Sequence, residues 1–454
     1  AGLGARVALI ERHLMGGDCL NVGCVPSKAL IRAARAWHEA RRAARDFGGP
    51  PAGGAGDFAA AMARMRRLRA DLGPVDSVRR YTGKGVDVFL GEGQFADGGT
   101  IEVDGARLKF RRAVIATGAR ASLPSLPGLA EAGPLTNENL FWLESLPARL
   151  AVIGAGPIGC EMAQAFARFG SRVSVLHRGP QILPREDRDA ARLVQESMTR
   201  DGVEFLHDAR LIKAERQGSG RLLHYERAGR LESLPAEQIL TAAGRTPNVE
   251  GLALERAGIA FDARGVTVDD RLRTSNPRVF AIGDVASRYQ FTHAADAQAR
   301  MVIANALFFG LGGGRASRHV IPWCTYTSPE IAHVGLYEEE ARKAGHEVQT
   351  MTVEMSEVDR AVLDGSAEGL VRVHLKQGTD RILGATIVAE HAGDLIGELA
   401  LAITAGTGLS AIGRTIHPYP TQSEAIRKAA DAWNRTRLTP SARRIFGAFF
   451  RLFR

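Results

Sequence analysis

Gly16–Lys28 reads GGDCLNVGCVPSK. Two cysteines, Cys19 and Cys24, stand in it with four residues between them, in a stretch punctuated by glycine and proline. Thiols at that spacing can close a small disulfide ring if the chain curls through one helical turn. Such a ring is easily reduced and re-formed when a neighbouring group lowers the pKa of one thiol. A zinc site would want a second pair of cysteines or histidines at ligand spacing. The only other cysteines, Cys160 and Cys324, are isolated, so no metal ligands are assigned. Two unrelated buried cysteines are the bland alternative.

Working outward, residues 1–11 read as the end of a helix, a turn at Gly4 and a strand Val7–Ile10 ending in Glu11. An acid at the end of the second strand of a dinucleotide-binding βαβ unit suits a pair of ribose hydroxyls. The strand and GxGxxG turn that should come before it are not in the sequence, so the chain reads as starting within such a unit. Residues 27–80 read as two helices whose arginines, Arg32, Arg35, Arg41, Arg42, Arg64, Arg66, Arg67 and Arg69, make solvated faces. Residues 86–115 read as short strands ending in AVIATGAR. The cleanest unit follows: strand LAVIGAG, helix PIGCEMAQAFARFG, strand RVSVL. A lone GxGxxG is weak evidence. Here Gly154, Gly156 and Gly159 follow a strand and open an amphipathic helix, which suits a pyrophosphate at the helix amino terminus.

The run Gly-Gly-x-Cys-x-Asn-x-Gly-Cys-x-Pro-Ser-Lys closely resembles the redox-active disulfide of the flavin-dependent pyridine nucleotide–disulfide oxidoreductases. That family includes dihydrolipoamide dehydrogenase, glutathione reductase and mercuric reductase. The resemblance extends to about residue 435. It implies an α/β fold with two Rossmann-like domains, for FAD and NAD(P), and an α+β carboxy-terminal dimerisation domain. The expected boundaries are 1–147 and 270–317 for the two parts of the FAD domain, 148–269 for the NAD(P) domain and 318–435 for the dimerisation domain. A basic amphipathic tail, 436–454, follows. Within this frame Thr117 and Gly118 resemble the segment returning to the flavin domain. Gly244, in LTAAGRTPN, resembles the close of the nicotinamide-nucleotide domain. Gly283 and Asp284 resemble the second flavin fingerprint, whose Asp bonds the ribityl chain.

By position in the family, Cys24 lies nearest the flavin as the thiolate partner and Cys19 is the interchange thiol that meets the acceptor. Lys28, four residues past Cys24, brings an ammonium near the flavin. Glu161 resembles the acid that pairs with this lysine; a surface lysine and a first-turn glutamate are the bland alternative. After the glycine turn the strand runs into His177 and Arg178, with Arg185 further on. An NAD site would want an acid there, whereas these cations suit a 2′-phosphate, so NADPH is expected over NADH.

The carboxy-terminal motif IHPYPTQSEA departs from the dithiol-handling members, which place a histidine five residues ahead of a glutamate. Counting back from Glu424 gives Tyr419, and His417 lies two residues earlier. Tyrosine, with a reference pKa near 10, is a poor proton shuttle at neutral pH. Mercuric reductase resembles this chain here, although the chain ends RLFR without the cysteine pair such enzymes carry near that end. The expectation is a homodimeric, FAD- and NADPH-dependent, mercuric-reductase-like enzyme, with Tyr419 of one subunit completing the site at Cys19 of the other. Its acceptor is a soft metal ion, a disulfide or another small molecule. The alternatives are a dihydrolipoamide dehydrogenase with His417 as base, and a truncated, non-catalytic dimeric binding protein.

The 454 residues are 45% hydrophobic and 24% charged, the composition of a globular chain of several domains. Four cysteines at this length do not make a secreted disulfide scaffold, which points to the cytoplasm. The net charge of +9 comes without any nucleic-acid-binding signature, so no nucleic acid is expected. In the tail PSARRIFGAFFRLFR, Pro440 suits a first helical turn. Ile445, Phe446, Phe449, Phe450 and Phe453 recur at helical spacing, flanked by Arg443, Arg444, Arg451 and Arg454. Such a face either docks on the body of the dimer or makes a peripheral contact with an anionic membrane surface.

Overall fold

A computed structural model describes residues 1–54, 56–308 and 313–452. They form two compact units, Ala1–Pro180 with Gly202–His319, and Gln181–Asp201 with the chain from Val320 on.

The first unit is built around parallel strands. Val203–Leu206, Arg172–Leu176, Arg149–Ile153 and Gln238–Thr241 lie side by side in that order. Leu150, Ala151, Val152 and Ile153 are all buried, the continuous apolar run of a strand covered on both faces. The helix Pro157–Phe169 follows, with Pro157 in its first turn and Gly170 left-handed at its end. It is buried from Gly159 to Phe169. Helices Cys24–Phe47 and Phe58–Leu72 supply part of the cover: Trp37 meets Phe169 edge-on at 4.8 Å and Phe58 meets it at 5.3 Å. On the other side Leu223, Tyr225, Ile239 and Leu176 share a core with an antiparallel sheet, Arg210–Gln217, Gly220–Arg227 and Arg230–Ala236.

Two parallel pairs complete the site-bearing part, Val7–Glu11 with Val86–Leu90 and Ala113–Ile115 with Val279–Ala281. Residues 1–4 are a turn closed by Gly4 N–H on Ala1 O, not the end of a helix. Gly4 sits at φ 80, a conformation outside the helical region. The two arginine-rich helices form where expected, but Arg41 and Arg69 are not merely solvated. Arg41 donates to Arg168 O at 2.6 Å, meeting a carbonyl at the end of helix Pro157–Phe169. Arg69 donates to Asn21 O at 3.0 Å and lies over the Trp142 ring.

The second unit carries a five-stranded antiparallel sheet in the order Trp323–Thr325, Glu330–Gly335, Ile382–Ala389, Leu370–Lys376, Val348–Glu354. Ile382–Ala389 is buried at every residue, as the middle strand should be. Helices Ala392–Ala405 and Glu424–Thr436 contribute Ile396, Leu399, Ile426 and Trp433 to the core. Truncating Leu399 or Ile426 to alanine should cost about 2–5 kcal/mol. Gln181–Asp201 is tied in by polar contacts: Arg372 reaches Asp187 at 3.1 Å and also Asp189. Tyr337 Oη and Trp323 Nε1 donate to Glu186 at 2.6 and 2.9 Å. Burial pushes the Glu186 carboxyl upward, and these two donors oppose the shift.

The tail is a helix, Pro440–Leu452, with no buried residue among those described. Ile445, Phe446, Phe449 and Phe450 are each at least half exposed. Phe453 and Arg454 lie outside the described residues. Among the described residues no helix is long and apolar enough to cross a membrane.

Candidate redox and dinucleotide-binding site

Gly16 and Gly17, at φ 87 and 56, swing the chain into the short helix Gly17–Asn21 that carries Cys19. Gly23 then leads into helix Cys24–Phe47. A Cβ at Gly23 would lie 2.8 Å from Asp18 O, so only glycine lets the two segments close. The result brings the Cys19 and Cys24 side chains close enough for each thiol to shift the other's ionisation. Cys24 Sγ also lies 3.6 Å from Thr292 Oγ1, at the start of helix Thr292–Leu307.

The two thiols have opposite acidities. Cys19 is drawn down to about 6, chiefly by the hydrogen bond from Cys24. Cys24 is pushed up by the same bond and by burial, while Lys28 pulls it the other way. The cause is one proton held between two sulfurs, so the pair ionises as a unit.

Lys28 Nζ lies 2.8 Å from Glu161 Oε2. The lysine is one helical turn beyond Cys24. The glutamate is 5% exposed, in the second turn of helix Pro157–Phe169. The pair expected from sequence is thus brought together from segments 133 residues apart.

The glycine turn has three distinct requirements. Gly154 sits at φ 107, and a Cβ there would lie 2.5 Å from Ala242 O. A Cβ at Gly159 would lie 2.1 Å from Gly154 O, so strand and helix could not close. At Gly156 nothing lies within 4 Å, which leaves an open approach to the helix amino terminus for a pyrophosphate. His177 and Arg178 follow strand Arg172–Leu176, with His177 half-buried and Arg178 exposed. Burial and the neighbouring His207 bring His177 down to about 4. It is neutral at neutral pH, so Arg178 is the standing cation; Arg185 belongs to the second unit.

The residues assigned to the flavin lie at strand ends of the same unit. Glu11 closes Val7–Glu11, and its Oε1 accepts from His13 N–H at 2.9 Å. Thr117 and Gly118 follow Ala113–Ile115, with Thr117 Oγ1 donating to Asn248 O at 2.7 Å. Gly118 sits at φ 67, and a Cβ there would meet no atom within 4 Å. Gly283 and Asp284 follow Val279–Ala281, and Gly283 N–H donates to Gln298 Oε1 at 2.7 Å. Burial raises the Asp284 carboxyl, and Arg245 at 3.3 Å opposes that. Gly244, at φ 129, precedes this arginine and its O accepts from Ser122 N–H at 3.0 Å. An open left-handed glycine and a half-buried carboxylate fit the edge of a flavin nucleotide and its polyol.

Tyr419, His417 and Glu424 lie in the second unit and share no hydrogen bond with one another among the described residues. Tyr419, 71% exposed, donates to Asp359 Oδ2 at 2.8 Å, and this bond raises its pKa. His417 Nε2 faces Glu398 Oε1 at 3.0 Å, and its Nδ1 faces Thr415 O at 3.1 Å. Glu424 Oε1 accepts from Arg427 at 3.1 Å, while Oε2 is buried without a hydrogen-bond partner among the described residues.

Sequence reading passed over three residues. Arg245 was visible only as part of GRTPN, yet it links Asp18 at 3.0 Å, Asp284 and Ala119 O. Asp18 sits between the glycines and Cys19 and also accepts from Asn137 at 2.9 Å. Thr292 carries no motif; only the start of its helix places it at the thiols. Cys160 is fully buried, and burial holds its pKa up.

Residues 1–299 match the pyridine nucleotide-disulphide oxidoreductase family, and 321–430 match its dimerisation domain. A mercuric reductase of Bacillus cereus is 34% identical over 94% of this chain and 67% of its own length. A dihydrolipoyl dehydrogenase of Thermus scotoductus is 37% identical over 95% and 93%. Among solved structures, the HOCl-induced flavoprotein disulfide reductase RclA of Escherichia coli superposes with a TM-score of 0.84 at 28% identity, covering 94% of each chain. RclA has also been solved as a Cu(II) complex.

Proposed function

The chain belongs to the pyridine nucleotide-disulphide oxidoreductases and is a flavin-dependent oxidoreductase, and we propose that it moves electrons from NADPH through Cys24 and Cys19 to a thiophilic metal ion. FAD is expected for the family, and the dimerisation domain suggests a homodimer. The observation that carries the path is the contact of Cys19 with Cys24, one helical turn from the Lys28–Glu161 pair.

Each residue then has a task. The turn at Gly154, Gly156 and Gly159 admits the dinucleotide pyrophosphate, and Arg178 with His177 receives the 2′-phosphate. Glu11, Thr117, Gly118, Gly244, Gly283 and Asp284 line the flavin nucleotide. Bound FAD would relay two electrons from the nicotinamide to the Cys19–Cys24 disulfide. Lys28, oriented by Glu161, holds positive charge one turn from Cys24 and so favours its thiolate in the loaded enzyme. When the disulfide opens, two electrons break the S–S bond, one sulfur takes a proton and the other stays a thiolate. When the acceptor takes two electrons, the S–S bond re-forms and that proton leaves. Cys19, the more acidic thiol of the free chain, is the natural contact for the acceptor.

The metal-ion reading draws on Tyr419, a weak acid made weaker by Asp359, and on the mercuric reductase relatives and the Cu(II) complex of RclA. Tyr419 of one copy is proposed to complete the site at Cys19 of another. The second reading, dihydrolipoamide dehydrogenase, is favoured by the His417–Glu398 contact, which orients an imidazole as a base. Rates of NADPH oxidation by the FAD holoenzyme with Hg(II), Cu(II) and lipoamide separate the two. Metal-dependent turnover above lipoamide turnover supports the first reading; fast lipoamide reduction replaces it with the second.

The same reading places the enzyme in the cytoplasm, with helix Pro440–Leu452 in peripheral contact with anionic lipid. The support is an exposed apolar face with Arg443, Arg444 and Arg451 beside it and no acidic residue from 437 to 452. Sedimentation with anionic vesicles, with and without residues 440–454, tests it: equal pelleting of both forms would remove the lipid contact.

A further inference from the structure

We propose that His207, which no motif singles out, joins His177 in a proton-accepting pair that binds the 2′-phosphate of the nicotinamide dinucleotide as a phosphate monoester dianion. This rests on the NADPH reading above and deepens it. His177 directly follows strand Arg172–Leu176, and His207 directly follows the adjacent parallel strand Val203–Leu206. Both rings therefore emerge at the carboxyl end of the sheet, where open α/β folds bind their ligands. The glycine turn is anchored at the same edge, with Gly154 N–H donating to Leu176 O at 2.9 Å.

The backbone holds the two rings in register. His177 N–H donates to Leu206 O at 3.2 Å, Ala209 N–H to His177 O at 3.0 Å and Asp208 N–H to Gly179 O at 3.2 Å. His177 Nε2 and His207 Nδ1 are 2.8 Å apart, with the rings edge to face at 4.7 Å. One hydrogen lies between those nitrogens. His177 Nδ1 and His207 Nε2 make no hydrogen bond to any described residue. Phe205 stacks on His207 at 5.9 Å and backs the pair with an apolar ring.

Without an anion the pair stays neutral. Burial lowers both rings; Asp208 opposes this for both, while Arg227 adds to it for His207. Arg178, next in sequence, adds a further positive charge nearby. A phosphate dianion reverses the balance, because an opposite charge at about 4–6 Å raises an imidazole pKa by about 1–3 units. The pair then takes one proton from solvent, spread across its hydrogen bond, and adds a second cation beside Arg178. NADH has no phosphate at this position and draws no such proton.

The test uses the FAD holoenzyme with adenosine 2′,5′-bisphosphate and adenosine 5′-monophosphate, by titration calorimetry near pH 6.5 in two buffers of different ionisation enthalpy. The bisphosphate should bind about tenfold tighter, a charge-assisted contact's worth, and with net proton uptake. His207→Gln should abolish the uptake and weaken the bisphosphate about three- to tenfold, leaving the monophosphate unchanged. His207→Asn, which keeps a donor near the Nδ1 position, should behave alike if the titrating ring matters. In the unaltered protein the bisphosphate should bind more weakly as pH rises from about 6.5 to 8.5, opposite to the effect of the phosphate's own ionisation near 6. Tighter bisphosphate binding without proton uptake would overturn the pair and leave the NADPH reading standing. Equal affinity for the two nucleotides would overturn both.

Discussion

The Tyr419 hydroxyl donates to Asp359 Oδ2 at 2.8 Å instead of turning to Glu424, whose Oε2 is buried without a hydrogen-bond partner among the described residues. The acid of the dithiol-handling pattern is thus present without its base. Tyr419→His would put an imidazole, with an ordinary pKa near 6.5, five residues ahead of that oxygen. Lipoamide turnover should rise by about 10²-fold, the lower end of what a positioned proton shuttle supplies. A variant no faster than the unaltered enzyme would mean that Tyr419 is not what limits dithiol chemistry.

Lys28 and Glu161 can be tested through stability. Lys28→Met removes the cation from a carboxylate that is 5% exposed. Because the lysine itself is partly solvated, the expected loss is about 1–3 kcal/mol in urea unfolding. Lys28→Met with Glu161→Gln should recover part of it. Additive losses in the double variant would show that the two do not act as a pair.

Arg178→Glu should move the preference from NADPH toward NADH by one to two orders of magnitude in kcat/KM, about 1.5–3 kcal/mol for a charge-assisted phosphate contact. His177 is neutral in the free protein at neutral pH, so Arg178 is the cation that stands there before the dinucleotide arrives. Equal kcat/KM for the two dinucleotides in the unaltered enzyme would remove the NADPH preference.

The acidity of Cys19 gives a pH dependence. The thiolate is the reactive, deprotonated form, so alkylation of the reduced, flavin-free chain should rise with pH and reach half its plateau near 6, against an ordinary value of 9.0. Cys24→Ala takes away the stabilising donor and should move the midpoint upward, which iodoacetamide rates at several pH values would read. A midpoint unchanged by Cys24→Ala would show that the two sulfurs do not share a proton.

Much of this was legible in the sequence because it rests on local rules. The glycine turn declares itself by spacing, and the Lys28–Glu161 pair through the family motif. What was not legible depends on strands and helices meeting across the chain. His207 is one residue after an ordinary strand, and only parallel pairing with Arg172–Leu176 brings it to His177. Thr292 meets Cys24 across 268 residues. Residues 1–4 form a turn where a helix end is expected, since four residues with two glycines carry too little pattern to separate the two.

The proposed electron path is tested most directly by anaerobic titration of the FAD holoenzyme with NADPH while free thiols are counted. Two new thiols per chain should appear with the first equivalent, together with a long-wavelength flavin–thiolate absorbance. In Cys24→Ser the flavin should stay bound, with that absorbance and the thiol gain both lost. Flavin bleaching without new thiols in the unaltered enzyme, or a long-wavelength band that survives Cys24→Ser, would contradict a path through Cys19 and Cys24.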